Sequence, residues 1–151
     1  MDLQVGAPAP DFTLPGAAGE PVRLFLLRGS PVVLVFYPYA FSGTCTGELC
    51  ELRDNIAAFD EAGVTLLGIS CDPAHSLRVF REQEGYSFDL LSDFWPHGAV
   101  ARSYGVFDEA GGMAIRGSFL VDAEGIVRWA VVNPRGQARP LAAYREALAA
   151  L

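Results

Sequence analysis

The chain has 151 residues, 51% of them hydrophobic, and a formal charge of −7, which is enough apolar material for one core and gives the expectation of a single domain over residues 1–151. The acidic balance, with no basic cluster, excludes a nucleic-acid or anionic-membrane partner, and the longest apolar run, from Pro31 to Phe41, is about half the roughly 20 residues of a membrane-spanning helix. Three cysteines, without paired Cys-x-x-Cys or His-x-x-x-His blocks, make neither a disulfide scaffold nor a structural zinc site.

The first residues, Met1-Asp2-Leu3-Gln4-Val5-Gly6, have neither a basic start nor an apolar core, so the expectation is no export signal and a cytoplasmic location. Residues 1–30 alternate Gly6, Pro8, Pro10, Pro15 and Gly16 with short apolar pieces around Phe12-Thr13-Leu14 and Val22-Arg23-Leu24. That pattern predicts a small N-terminal hairpin. Val32 to Tyr37 is apolar throughout, as a parallel strand covered on both faces is.

From Thr44 to about Ala62 the period becomes helical. At 100° per residue, Cys45, Leu49, Leu52, Ile56 and Phe59 fall within roughly 40° of one direction, an apolar stripe. Ser42 is placed to cap this helix, and Gly63 to end it. Val64 to Ser70 is a second buried strand, so strand, helix and strand form a right-handed crossover. A helix opens at Asp72-Pro73-Ala74 and stops at Gly85, and Phe88 to Asp93 is a short strand or extended piece. A short helix runs from about His97 to Tyr104, before the loose, glycine-rich Glu109-Ala110-Gly111-Gly112. Ser118–Val121 and Ile126–Val131 read as a hairpin across Asp122-Ala123-Glu124-Gly125, and Leu141 to Leu151 as a closing helix. A crossover, a hairpin and a last helix predict an α/β fold: a thioredoxin-like sandwich, with a central mixed sheet flanked by helices.

The chemistry concentrates between Pro38 and Cys50. Cys45 lies in the first turn of a helix, where unpaired N–H groups and the positive end of the macrodipole favour a thiolate; a small buried hydrophobe is the bland alternative. Ser42 supplies a cap or a hydroxyl aimed at whatever Cys45 attacks. Pro38 punctuates the strand end. Glu48, one turn after Cys45, is close enough to oppose a thiolate and therefore wants a cationic partner. Cys71, at a strand end, reads as a small packing residue, and His75 and His97 as helix-start or surface residues. Trp95 and Phe94 fit an active-site rim, a subunit contact or the core.

Taken together, Pro38-x-x-x-Ser42-x-x-Cys45 resembles the active-site signature of peroxiredoxins, thiol peroxidases on a thioredoxin-like fold. Matches at Val5–Phe12, Gly68-Ile69-Ser70 and Arg116–Asp122 extend the resemblance along nearly the whole chain, and Leu91–Val100 with Tyr104–Phe107 is similar to the alkyl hydroperoxide reductase E class. The resemblance implies Cys45 as peroxidatic nucleophile, Ser42 as a hydroxyl orienting the peroxide, Pro38 as a shield from water and Arg116 as a cation near the thiolate. It also implies a peroxide substrate, a thioredoxin-like or low-molecular-weight thiol reductant, a homodimer, and no metal, flavin or haem. Glu48 is then expected to pair with Arg116 and aim it.

Cys50 departs from the one-cysteine pattern of the reductase E class. It sits five residues after Cys45, where the bacterioferritin-comigratory class of peroxiredoxins has a resolving cysteine. Helical residues five apart differ by about 140° and roughly 7.5 Å in rise, so their Cα atoms lie roughly 8.7 Å apart, beyond the ~7 Å limit of a disulfide. A resolving role therefore requires the helix to open. By the same geometry Cys50 is expected to face away from the apolar stripe. The rival readings are a thioredoxin-type disulfide oxidoreductase, which wants Cys-x-x-Cys where this chain has Cys45-Thr46-Gly47-Glu48; a copper-delivery protein, which wants a cysteine where Leu49 stands; and a non-catalytic redox-binding module.

Overall fold

A computed structural model describes residues 3–151; Met1 and Asp2, part of the segment read as lacking an export signal, lie outside it. Five strands form the central sheet. β3 (Val32–Phe36) is its middle strand, parallel to β4 (Thr65–Ser70) and antiparallel to β8 (Arg116–Val121). β5 (Asp89–Ser92) adds a parallel edge beyond β4, and β9 (Val127–Asn133) an antiparallel edge beyond β8. The sheet is mixed, as expected for the sandwich.

Every residue of β3 is buried, and the pleat sends alternate side chains to opposite sides. Val33, Val35 and Tyr37 enter one core with Cys45, Leu49, Leu52, Leu77, Phe80 and Tyr144. Val32, Leu34 and Phe36 enter the other with Phe12, Leu14, Ala101 and Tyr104. Helices α1 (Gly43–Asp54), α2 (Ile56–Glu61), α3 (Ala74–Glu84) and α5 (Leu141–Ala149) therefore cover one face. The short α4 (Ala99–Ser103) and the N-terminal hairpin of β1 (Thr13–Pro15) with β2 (Pro21–Arg23) lie on the other. Gly63 and Gly85, both read as helix stops, follow α2 and α3 in the left-handed conformation, at φ +70° and +68°.

Three elements differ from the sequence reading. The single helix expected over 44–62 is broken at Asn55, which has φ −119° and ψ 19°. Its side-chain amide donates to the Glu51 carbonyl at 2.8 Å, the acceptor that its own N–H takes in a continuous helix. That N–H turns instead to the Leu52 carbonyl at 3.1 Å. The helix read over His97–Tyr104 shortens to α4, because Gly98 adopts φ +70° and the Asp93 carboxylate takes the Val100 and Ala101 N–H groups at 3.1 and 2.9 Å. The segment read as loose carries a two-residue hairpin of β6 (Phe107–Asp108) and β7 (Met113–Ala114), whose turn is held by Asp108 Oδ1 accepting from Ala110 and Gly111.

Asp93 is buried and satisfies two N–H groups that α4 cannot pair internally. Asp93→Ala is expected to lower stability by about 2 kcal/mol, the cost of a lost cap and stranded buried donors, read as a lower midpoint in urea unfolding; an unchanged midpoint contradicts this account.

Candidate active site

The site is built where β3 leaves the sheet. Tyr37 still pairs through its N–H with the Ile69 carbonyl at 3.0 Å; Pro38, which has no N–H, ends the ladder and is buried. The loop then passes through Phe41, a non-glycine residue at φ +68°, a conformation that costs about 1 kcal/mol or more. Two contacts hold it there: the Phe41 ring packs on Phe80 with centroids 4.9 Å apart, and the Ala40 N–H donates to Asp72 Oδ2 at 2.9 Å. Asp72 is itself fixed by the Ser70 hydroxyl at 2.6 Å and, through its carbonyl, by the Ser92 hydroxyl at 2.6 Å. The ends of β4 and β5 thus carry the loop. Asp72, read from the sequence only as a helix-start residue, is its anchor.

Ser42 caps α1, its hydroxyl oxygen accepting the Cys45 N–H at 3.3 Å. Accepting that bond leaves the hydroxyl hydrogen free to donate. Cys45 itself is fully buried on the core side of the helix.

One turn further on lies the largest concentration of buried charge. Glu48, read as the partner of Arg116, accepts from Arg116 Nη1 at 2.5 Å. Its second oxygen takes the main-chain N–H of Arg139 at 2.6 Å and Arg139 Nε at 3.0 Å, while Arg139 Nη2 reaches Oε1 at 2.9 Å. The three side chains are 5%, 3% and 0% exposed in the order Glu48, Arg116, Arg139. Burial alone raises the Glu48 carboxyl, but the hydrogen bonds and charge of Arg139, joined by the charge of Arg116, outweigh it and hold the group below the ordinary carboxylate range. Burial likewise works against the Arg139 cation. Tyr144, Glu48 and Cys45 around it more than compensate, and its guanidinium is held above its usual range.

Arg139 Nη1 also donates to the Phe36 carbonyl at 2.6 Å, the Gly117 carbonyl at 2.9 Å and the Ser118 hydroxyl at 3.0 Å. It ties the ends of β3 and β8 to α1. Arg116 Nε takes the Arg135 carbonyl at 2.7 Å. The sequence reading did not find Arg139. It stands in the polar stretch Arg135-Gly136-Gln137-Ala138-Arg139-Pro140, and only its place just before the proline at the start of α5 separates it from Arg135.

Cys50 is not where the helical-wheel argument put it. Instead of facing away from the apolar side, it is half-buried and packs against the core, with Sγ 3.5 Å from Glu84 Oε1 and 3.6 Å from the Tyr86 hydroxyl. The reason lies in α3 and the segment after it. Tyr86, whose ring meets Phe80 and Phe88 at 5.3 and 5.0 Å, brings a wall against the flank of α1 beyond the leucine stripe. The three cysteines are all free. Cys71 is buried, and burial together with the nearby Asp93 charge pushes its thiol up to about 11, which fits the packing role read for it.

His97 is a structural residue: Nε2 meets the Gly112 carbonyl at 2.7 Å, and its ring contacts Phe94 and Phe107. His75 is exposed on α3. Trp95 is 79% exposed and Phe94 47%, which removes the core alternative for both. Among the described residues, no group of three or more His, Cys, Asp or Glu side chains converges as a metal site.

A family model described as the AhpC/TSA family matches residues 5–130. The chain is 47% identical over 150 residues to alkyl hydroperoxide reductase E of Mycobacterium tuberculosis, covering 99% of this chain and 98% of the relative. It is 41% identical over 129 residues to peroxiredoxin Bcp of Escherichia coli, covering 82% and 81%. The crystal structure of Enterococcus faecalis AhpC superposes with a TM-score of 0.90 at 29% identity, over 99% of this chain and 92% of that one. With the family model matched over most of its length and relatives at 47% and 41% identity, the chain belongs to the AhpC/TSA family, the peroxiredoxins that its motif resembles.

Proposed function

We propose that the chain is a thiol-dependent peroxidase that reduces hydrogen peroxide and organic hydroperoxides, with Cys45 as the nucleophile. The observation that carries this reading is the fully buried Cys45 at the capped start of α1, one turn before a glutamate bound by two buried arginines. Family membership supplies the reaction class.

The Cys45 thiolate attacks one peroxide oxygen; the S–O bond forms as the O–O bond breaks, and the other oxygen leaves as hydroxide or alkoxide, taking up a proton to become water or an alcohol. Cys45 becomes a sulfenic acid. Negative charge grows on the departing oxygen, so fixed donors there lower the barrier. The Ser42 hydroxyl, the loop and helix N–H groups and Arg116 fill that role, and Pro38 shields the thiol from water. Glu48 holds Arg116 in place, with Arg139 as the second clamp on Glu48.

Regeneration in this reading runs through Cys50. Its sulfur attacks the Cys45 sulfenic sulfur, the S–S bond forms, and the hydroxyl leaves with the thiol proton as water. A thioredoxin-like or low-molecular-weight thiol then reduces the disulfide. The separation of residues five apart on a helix, roughly 8.7 Å between Cα atoms, requires α1 to open first. The alternative is direct attack of an external thiol on the sulfenic acid. Length and apolar content favour one domain over residues 1–151, and the resemblance supports a homodimer, with exposed Trp95 and Phe94 available for a subunit contact.

Cys45→Ser is expected to abolish consumption of stoichiometric peroxide by the reduced protein. Cys50→Ser leaves that first step intact but lets the sulfenic acid persist and slows turnover with a dithiol; unchanged dithiol turnover defeats the resolving role.

Glu48→Gln removes the charge between two buried guanidinium groups, and the expected loss is about 3–5 kcal/mol. The pH dependence has a definite sign. Because the folded-state carboxyl lies below its unfolded value, its contribution is fully present above the ordinary carboxylate range and is lost as pH falls through that range toward the folded value. Wild-type stability therefore declines below about pH 5, as pH falls toward the depressed folded value, by an amount that Glu48→Gln lacks. Parallel declines, measured by urea unfolding at each pH, contradict the assignment.

A further inference from the structure

The proposed reaction makes a mechanical demand on α1, since Cys50 resolves Cys45 only when the helix between them opens. What holds the second half of α1 shut is therefore part of the reaction, and the polar share of that hold converges on one residue. Arg53 Nη1 donates to the main-chain carbonyl of Glu84 at 2.6 Å, and the Cys50 thiol lies 3.5 Å from the Glu84 carboxylate. Glu84 is the last residue of α3, directly before Gly85 at φ +68°. Its carbonyl is one of those a helix leaves without an internal partner, at the negative end of the macrodipole, where a guanidinium is favoured. The Tyr86 hydroxyl, 3.6 Å from Cys50 Sγ, completes the pocket. Burial and its contact with Cys50 push that phenol well above its usual range, so it remains a donor to the sulfur while the thiol donates to Glu84.

Opposing this hold is the break at Asn55. Because α1 ends there, residues 50–54 are separable from α2, whose Phe59 is buried against Tyr144 in the core. The turn carrying Cys50 is thus fastened to α3 on one side and uncoupled from the next helix on the other.

We propose that Arg53 and Glu84 form a latch between α1 and α3 that sets the rate at which Cys50 is released to attack the Cys45 sulfenic acid. They are positioning residues for the resolving step, and the inference rests on the reading of Cys50 as the resolving thiol. While the latch is closed, the sulfenic acid has no internal partner. A second peroxide then oxidises it to sulfinic acid, transferring one oxygen to sulfur and leaving as water or alcohol. Release of the latch competes with that loss, and its strength sets sensitivity to excess peroxide.

The test uses the full chain and the single variants Arg53→Ala and Glu84→Ala. Alanine keeps both helices well formed, and the rate of Cys45 oxidation by one equivalent of hydrogen peroxide reports whether the first site is intact; it is expected to stay within about twofold of wild type. After rapid mixing, alkylation of remaining thiols and mass spectrometry, Arg53→Ala is expected to form the Cys45–Cys50 disulfide about tenfold faster, the shift that follows losing one hydrogen bond from a charged donor. Glu84→Ala is expected to do so severalfold faster, both variants accumulate less sulfinic acid under excess peroxide, and Arg53→Lys, which keeps a cationic donor, returns toward the wild-type rate. Disulfide formation at the wild-type rate in both alanine variants, or slower than it, overturns the latch and leaves the resolving role of Cys50 standing. A wild-type protein that forms no Cys45–Cys50 disulfide overturns both.

Discussion

The Glu48 carboxylate, closed between Arg116 and Arg139, is the interaction on which the rest of the active-site architecture depends. Its two partners lie 68 and 91 residues away in sequence, so their pairing joins α1, β8 and the approach to α5 at one point. Arg139 extends the joint to the ends of β3 and β8 through the Phe36 and Gly117 carbonyls. Buried charges are costly to desolvate, and such a group is retained only with close geometry and satisfied donors. Both carboxylate oxygens and three nitrogens of the Arg139 guanidinium are engaged here. The formal balance is one negative and two positive charges. That excess of positive charge lies one helical turn from Cys45, and it suits the proposed reaction, in which a thiolate and then a departing oxyanion are accommodated.

A second constraint acts on the other side of the thiol. The loop from Pro38 to Ser42 carries a left-handed phenylalanine, and a backbone in that region persists only where its surroundings determine it. Asp72 and Phe80 provide that determination from β4 and α3. The cap at Ser42 and the clamp at Glu48 are then fixed to different parts of the sheet. The start of α1 is held from both directions, and Cys45 lies between the two holds with no exposed surface.

Local physics made much of this legible in the sequence. An unbroken apolar run declared β3, glycines able to take positive φ declared the ends of α2 and α3, and the spacing of Ser42, Cys45 and Glu48 declared a capped helix with a charge needing a partner. Contacts across long stretches of chain were not legible in the same way. Arg139 differs from Arg135 only in what the fold brings to it, and Asp72 looks like any acid before a helix until Ala40 is seen against it. The break at Asn55 was hidden differently: Leu52, Ile56 and Phe59 keep the helical period through it, while one side-chain amide captures the carbonyl that the helix needs. Cys50 was misplaced because a wheel drawn for one helix leaves out the neighbour that covers its flank, here Tyr86 and Glu84.

The two halves of α1 answer to different demands. Around Cys45 and Glu48 the helix is fastened by a cap, a buried core face and two arginines, which is what a preorganised nucleophile requires. Around Cys50 and Arg53 the fastening is polar and half-exposed apart from Leu52, and the helix stops at Asn55. Drawing one buried leucine out of the core costs about 2–3 kcal/mol, and the roughly tenfold hold of Arg53 lowers the open population further, to about one molecule in a few hundred to one in two thousand. An opening of that size leaves the fold intact, because it spends only a fraction of the roughly 5–15 kcal/mol that stabilises a domain. In the proposed mechanism a fully rigid α1 would activate Cys45 and strand its sulfenic acid, and a loose one would lose the cap and the clamp. The break at Asn55 separates the two requirements by letting the second half yield without the first.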